Sequence, residues 1–372
     1  MIAVVPTAIL FGGAEALARV HYFTRSGGEI NYLITPLGQS LDRIRKRAVY
    51  PYEPRQTYTA QDRCSGRKIT FTVNNLGLRG TEWKLEKAPG VLRVLTVGGS
   101  STFGVNNPDD ATWPAFLQRA LQSRSRRTIE CLNGGQPGYA LVDFTYFFRE
   151  KLAPYRPEVV IYYEGWNDTD LPGASQVHHN VRRFHQYNAL GRLSAWLYCR
   201  SLLYTYLLEK SQFYRVSRRY DSLPDTHRFQ SEMEGFVHTV RQQGARPVLV
   251  LQMLEPFQEA PFRQFRAELR SADLQNRAPL RRRVLELARS VSGEQSGRYD
   301  GLTRLRLYQT LLLLEVARRS GEAMGVQVID PDPDFVREQP RGALFCDAVH
   351  LSDRGSEILA RAIADRLPLE GG

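Results

Sequence analysis

Long apolar runs are absent from this sequence. Nowhere do about 20 uninterrupted apolar residues occur, which excludes a multi-span membrane protein. Lysine is scarce, standing only at 46, 68, 84, 87, 151 and 210, so nearly all of the fifty basic residues are arginine. Cysteine is scarce as well. Cys64, Cys131, Cys199 and Cys346 lie far apart and form no CxxC pair, which implies neither a zinc site nor a thiol redox motif. Outside the cytoplasm two disulfides are permitted, and their pairing stays open at this level. Internal repeats and low-complexity tracts are missing too.

What is present is an ordinary globular composition: 42% hydrophobic, 10% aromatic and 24% charged over 372 residues. That supports a sizeable core and excludes a disordered chain, a collagen-like repeat or a small disulfide-stapled scaffold. The length exceeds the usual ~100–200 residues of one domain, so one elaborated domain or two smaller ones are expected. Fifty basic residues against 39 acidic give +11 at pH 7, a balance that suits an anionic polymer, a phospholipid surface or nucleic acid. The basic residues are spread along the chain, however, and the short clusters at 124–127, 215–219 and 281–283 read as solvated helix faces.

Residues 1–18, MIAVVPTAILFGGAEALA, are mostly apolar or small, and Ala16-Leu17-Ala18 has the form of a signal-peptidase site. No basic residue precedes the run, and Glu15 interrupts it before spanning length. A secretory signal and a membrane anchor both fit; the alternative is a buried N-terminal helix. We take 1–22 as a hydrophobic signal or anchor segment, which implies export and membrane association. Residues 23–90, rich in proline, glycine and tyrosine, read as an irregular N-terminal extension. From 91 onward strands and helices alternate. Strands are expected at 92–97, 128–132, 159–163, 247–251 and 326–329. Helices are expected at 112–123, 142–151, 230–243, 302–319 and 354–366. Such alternation gives a parallel sheet with helices on both faces. Two Arg-rich, aromatic stretches, about 170–230 and 257–300, interrupt it and read as helical insertions over the carboxyl edge of the sheet.

Ligands of an open parallel sheet sit beyond the carboxyl ends of its strands, and polar blocks follow four of the expected strands. They are Gly98-Gly99-Ser100-Ser101-Thr102-Phe103-Gly104, then Asn133-Gly134-Gly135-Gln136-Pro137-Gly138-Tyr139, then Glu164-Gly165-Trp166-Asn167-Asp168, and last Cys346-Asp347-Ala348-Val349-His350. The first lacks a P-loop lysine, the GxGxxG spacing and the GxSxG pattern. Taken singly, each block reads as a turn or a helix cap. Together they offer a serine at a helix start, backbone-presenting glycines, an amide and an Asp-x-x-His pair.

In that order the blocks resemble those of the SGNH/GDSL hydrolase superfamily, whose four blocks supply Ser, Gly, Asn and His. The resemblance runs from about 91 to 367 and leaves the insertions unaccounted for. Asn74-Asn75-Leu76-Gly77-Leu78-Arg79-Gly80 also resembles a lead-in of envelope-attached bacterial members. The resemblance implies an α/β fold with a three-layer, flavodoxin-like parallel sheet of order 2-1-3-4-5. It implies Ser100 as nucleophile, His350 as general base and Asp347 as its orienting carboxylate. The oxyanion hole would be the Ser100 and Gly138 backbone N–H groups with the Asn167 amide, Gly135 being the alternative to Gly138. Gly99 departs from the pattern, standing where the GDS form has aspartate. Trp166 and Gly99 are expected to line the substrate cleft.

The residue types fit that chemistry: a serine hydroxyl is a weak nucleophile until an imidazole takes its proton, and the imidazole needs an acceptor to fix its tautomer. The implied reaction is cleavage of a short O-acyl ester through an acyl-enzyme, needing no metal or cofactor. The substrate would be a small-molecule or envelope-glycan ester and not nucleic acid. An O-acyltransferase using the same residues and a non-catalytic glycan-binding protein are the alternatives. His178, His179 and His185 could hold a metal but have no carboxylate at ligand spacing, and read as an insertion loop.

Overall fold

Short runs rich in branched aliphatic residues, separated by amphipathic stretches, build the sheet at the centre of the fold. The computed structural model describes residues 4–25, 31–34, 52, 54–169, 193, 197, 200–207, 210, 223–290, 299–338 and 344–368. Most of the first expected insertion, with His178, His179, Arg182, Arg183 and His185, lies outside the described residues. The chain divides into two units, Met1–Pro51 with Leu171–Tyr220, and Tyr52–Asp170 with Asp221–Gly372.

The second unit opens with an antiparallel hairpin of β1 (Thr57–Gln61) and β2 (Lys68–Thr72). Five further strands follow: β3 (Val91–Val97), β4 (Thr128–Asn133), β5 (Val159–Tyr162), β6 (Arg246–Val250) and β7 (Gln327–Ile329). They form one sheet in the order β4-β3-β5-β6-β7, with every neighbouring pair parallel. Numbered within the sheet, that is the 2-1-3-4-5 order expected from the sequence. All residues of β3 and β5 are buried, as befits strands covered on both faces.

The first unit contributes α1 (Val4–Arg25). The helices flanking the sheet are α2 (Trp113–Gln122), α3 (Leu141–Phe147), α4 (Thr226–Gln242), α5 (Ala260–Ser271), α6 (Arg277–Arg289), α7 (Gly301–Ala323) and α8 (Asp353–Arg366). On one face α2 and α8 pack together through Trp113, Leu117, Ile358 and Ile363 against Leu92, Val94, Ile161 and Val248. On the other, α4 contacts α3, α7 and β6. Helix starts are chemically marked. Thr112 accepts the Ala115 N–H at the start of α2 and Ser352 the Gly355 N–H at the start of α8. α4 begins earlier than its apolar periodicity suggests, because Asp225 accepts the Arg228 N–H (3.0 Å). The insertion expected at 257–300 is helical, as α5 and α6, and α5 lays Phe262 and Leu269 near Leu251 and Met253 beyond the end of β6.

Among the described residues of the second unit, the guanidinium groups of Arg79 and Arg93 are almost fully buried where a sequence reading places them at the surface. Arg79, from the loop after β2, pairs with Asp109 (2.8 Å) and donates to the carbonyls of Phe103, Gly104 and Asn107. Arg93, in β3, pairs with Glu130 (2.6 Å) and donates to the carbonyls of Lys84, Leu85, Glu86 and Tyr155. Each charge is thus surrounded by acceptors, which offsets the cost of removing it from water.

In the first unit α1 is turned inside out. Glu15 is buried, pairs with Arg19 (3.2 Å), and accepts the N–H groups of Leu202 (3.0 Å) and Leu203 (2.9 Å). Leu10, Phe11, Leu17 and Val20 are exposed, Leu17 at 73%. The glutamate that interrupts the apolar run is therefore an inward structural group. No helix among the described residues is long and apolar enough to cross a membrane.

Candidate active site

The carboxyl ends of β3, β4 and β5, together with the loop before α8, carry the four polar blocks. At the end of β3 the chain turns through Gly98 and Gly99 into a single helical turn, Ser100–Phe103. A Cβ on Gly99 would collide with Glu164 Oε2 and lie 2.5 Å from Asn167 Nδ2, so any side chain there would have to displace both groups. The carboxylate of Glu164, from the loop after β5, occupies the space beside Gly99. The Ser100 hydroxyl lies 2.7 Å from His350 Nε2. Ser101 is buried and donates to the Val349 carbonyl (3.0 Å), so the neighbouring hydroxyl is committed to structure.

His350 and Asp347 share the loop before α8. His350 Nδ1 lies 2.8 and 2.7 Å from the two carboxylate oxygens of Asp347, and Oδ1 also accepts the N–H groups of Val349 (3.1 Å) and His350 (3.0 Å). Burial pushes the Asp347 carboxyl up, but the hydrogen bond and charge of His350, with those two N–H groups, hold it well below the usual carboxylate range. Ser100, His350 and Asp347 therefore stand in one hydrogen-bonded line, although 250 residues separate the first two.

The loop after β4 brings Gly135 and Gly138 alongside. The Gly135 N–H is taken by Asn133 Oδ1 (3.0 Å), and its Cα sits against the Phe103 backbone. Gly138 has φ of 80°, which glycine adopts readily, and its N–H has no hydrogen-bond partner among the described residues. Of the two glycines, Gly138 is the one with a free donor. Asn167 Nδ2 donates one hydrogen to the Tyr139 carbonyl (2.9 Å), leaving its second beside Gly99.

Several groups that motif reasoning did not single out join these blocks. Glu164 is fully buried and accepts three backbone N–H groups, from Gly99 (2.8 Å), Gly165 (3.0 Å) and Asn167 (3.1 Å). Burial raises its pKa, against the pull of those donors and of Arg306. Gln252, just past β6, accepts the Trp166 N–H (2.9 Å) and donates to Ser101 Oγ (3.3 Å), tying three loops through one buried amide. Its only sequence signal is its place, a polar residue at the carboxyl end of an apolar strand. Trp166 is half-buried, and the Arg306 guanidinium of α7 lies 4.2 Å from the centre of its ring while donating to its carbonyl. Burial lowers the pKa of Arg306 to about 10, with Glu164 and Asp168 opposing the fall. Of the cysteines, Cys64 and Cys346 form a disulfide and Cys131 is free; Cys199 lies outside the described residues.

No family model matches the sequence, and no curated protein matches it. Solved structures do. A lipolytic protein of the G-D-S-L family from Desulfitobacterium hafniense aligns at 14% identity over 74% of this chain and 99% of its own, with a TM-score of 0.38. A lipase/acylhydrolase from Enterococcus faecalis aligns at 15% over 76% and 100%, TM-score 0.40. An acetylxylan esterase from Geobacillus stearothermophilus aligns at 14% over 74% and 93%, TM-score 0.40.

Proposed function

We propose that this protein is a serine esterase of the SGNH type, and that Ser100, His350 and Asp347 are its triad. The observation that carries the reading is the continuous line from Ser100 Oγ to His350 Nε2 (2.7 Å) and from Nδ1 to the Asp347 carboxylate. With Nδ1–H donated to a carboxylate, Nε2 is left as the acceptor, the tautomer a general base requires. His350 takes the hydroxyl proton as Ser100 attacks an ester carbonyl, then returns it to the leaving alkoxide. Water, deprotonated by the same imidazole, then cleaves the acyl-enzyme.

The carbonyl oxygen becomes an anion on attack, and donors must already face it. The Ser100 N–H at the start of its helical turn, the Gly138 N–H and the second hydrogen of Asn167 Nδ2 are the available ones, each worth ~3–4 kcal/mol of barrier. Half-buried Trp166 is the adjoining wall in this reading, while Gly99 is buried against Glu164 and Asn167. For the substrate we propose a short O-acyl ester on an envelope glycan, an assignment that follows the family resemblance of the sequence. Placement outside the cytoplasm is part of the proposal. The Cys64–Cys346 disulfide supports it, because such bonds persist in oxidising compartments, and so does the outward apolar face of α1.

The test is labelling by a fluorophosphonate, with turnover of p-nitrophenyl acetate measured alongside. Wild type is expected to label and turn over, and Ser100→Ala and His350→Ala to do neither. A folded wild type that neither labels nor turns over refutes the esterase. Adding a sugar acceptor separates the transferase, in which acylation of the sugar outpaces hydrolysis.

A further inference from the structure

The turn that joins β1 to β2 reaches both sides of the site. Cys64, within it, is bonded to Cys346, the residue immediately before Asp347. Arg63 Nη1 lies 3.4 Å from Asp347 Oδ2, and the Arg63 N–H donates to Asn106 Oδ1 (3.3 Å) just past the nucleophile's helical turn. Arg67 Nη2 lies 3.3 Å from Asp353 Oδ2, and the other oxygen of Asp353 accepts from Asn107 Nδ2 (2.9 Å). The turn is itself held in shape. Buried Asp62 accepts the Cys64 N–H (2.7 Å) and the Ser65 hydroxyl (2.6 Å), and its own N–H donates to the Arg67 carbonyl (2.8 Å). One rigid turn thus fastens the loop following the nucleophile to the loop carrying Asp347 and His350.

We infer that this hairpin turn is a positioning element of the active site, in which the Cys64–Cys346 bond and Arg63 hold Asp347 at His350. The inference rests on the triad reading above and deepens it. Asp347 orients His350 only while a carboxylate oxygen stays at Nδ1. Apart from the disulfide its loop is held by hydrogen bonds, beginning with the Val349 and His350 N–H groups donated to Asp347 Oδ1 and the Glu255 N–H donated to the Ala348 carbonyl (2.9 Å). Among the described residues they also include Cys346 N–H to the His350 carbonyl (2.8 Å), Ser352 N–H to the Leu344 carbonyl (3.0 Å) and Ser101 Oγ to the Val349 carbonyl (3.0 Å). The disulfide adds a covalent anchor one residue from the carboxylate. Arg63 is two-thirds exposed, so its pull on Asp347 is weak and salt-sensitive. It assists the anchor and does not replace it.

The experiment is steady-state hydrolysis of p-nitrophenyl acetate by the whole protein, oxidised and then reduced with dithiothreitol. Reduction adds two electrons and two protons to the Cys64–Cys346 bond, leaving two thiols, while the reagent closes to its own disulfide; thiol titration must rise by two. Since a 1 Å misplacement can cost about 100-fold, a partly released loop is expected to lower kcat about tenfold, with KM within twofold and recovery on reoxidation. The double variant Cys64→Ser/Cys346→Ser is expected to start at the lowered kcat and to ignore dithiothreitol. Arg63→Ala is expected to lower kcat two- to fivefold at low salt, which is ~0.4–1 kcal/mol and lies within the range of an exposed pair. High salt should erase that difference and Arg63→Lys should restore the rate. A purely structural staple would lower the melting temperature and leave kcat alone. Reduced protein that remains folded by circular dichroism with kcat within twofold of the oxidised form overturns the inference. If reduction unfolds the protein, Arg63→Ala decides alone, and an unchanged kcat at low salt overturns it. Absence of any Ser100-dependent turnover in oxidised wild type is a different result, which refutes the esterase itself.

Discussion

Replacing Glu164 by glutamine changes one oxygen into an NH2 group and leaves the volume almost untouched. In the native site one carboxylate oxygen accepts from Gly165 and Asn167 and the other from Gly99. A glutamine can keep the first pair, but its amide nitrogen then faces the Gly99 N–H, donor against donor. A hydrogen bond to a charged acceptor is worth ~1.5–3 kcal/mol, and the abandoned N–H is buried. Part of that loss is returned, because burial already disfavours the charge on Glu164. The net destabilisation is expected to be ~1–2 kcal/mol, a fall of a few degrees in Tm. The effect on rate should be larger than on stability. Gly99 leads directly into Ser100, and Asn167 is held by the same carboxylate, so both the nucleophile and an oxyanion donor lose their shared support. We expect kcat to fall about 10- to 100-fold with KM little changed, measured on p-nitrophenyl acetate well below the melting temperature. A folded Glu164→Gln protein with kcat within threefold of wild type refutes the reasoning, as does a rise in KM at constant kcat.

Asp347→Asn should lower kcat by about 10³- to 10⁴-fold while leaving fluorophosphonate labelling detectable on long exposure. Because the Asp347 carboxyl is held below the usual range, its stabilising contribution is present above the free aspartate pKa and disappears as pH falls through the depressed one. Melting curves of wild type and Asp347→Asn should accordingly differ at neutral pH and converge in strong acid. Glu164 has the opposite sign: its pKa is raised, so its contribution is fully present below the free glutamate value and is lost as pH rises through the native one. The Tm gap between wild type and Glu164→Gln should therefore narrow on going from acid to neutral pH. Gly99→Ala forces a methyl onto Glu164 and Asn167, and we expect ~1–3 kcal/mol of destabilisation with near-complete loss of turnover in the soluble fraction. Gln252→Leu deprives the part-buried Trp166 N–H of its acceptor, for an expected ~1 kcal/mol read by chemical denaturation.

The sheet was legible because its strands are short, apolar and followed by polar blocks, and because these runs alternate with stretches of helical period. Strand order followed from that alternation together with the motif resemblance. What stayed hidden were pairings between distant segments, which leave no local mark. Nothing around Cys64 designates Cys346 as its partner, and Arg63 looks like any other surface arginine. Arg79 and Arg93 read as exposed because guanidinium groups usually are; their burial depends on carbonyls gathered from several loops. Glu164 stood inside a recognised block, yet its task became visible only when β3 and β5 were set side by side. Gly99 is similar: the carboxylate packed beside it comes from the loop after β5, which no local pattern around residue 99 announces.

The bond between Cys64 and Cys346, residues separated by 282 in sequence, also bears on how the protein is made. Loop closure over such a span must wait for late contacts, and a growing chain presents its segments in order of synthesis. The nucleophile turn, the hairpin that braces the site and most of the sheet emerge well before residues 346–350. Until residues 346–350 are in place, the nascent chain has a serine but no base to activate it. Catalytic competence is therefore expected only after residues 346–350 have joined the site, and closure of the Cys64–Cys346 bond is then expected to raise kcat about tenfold.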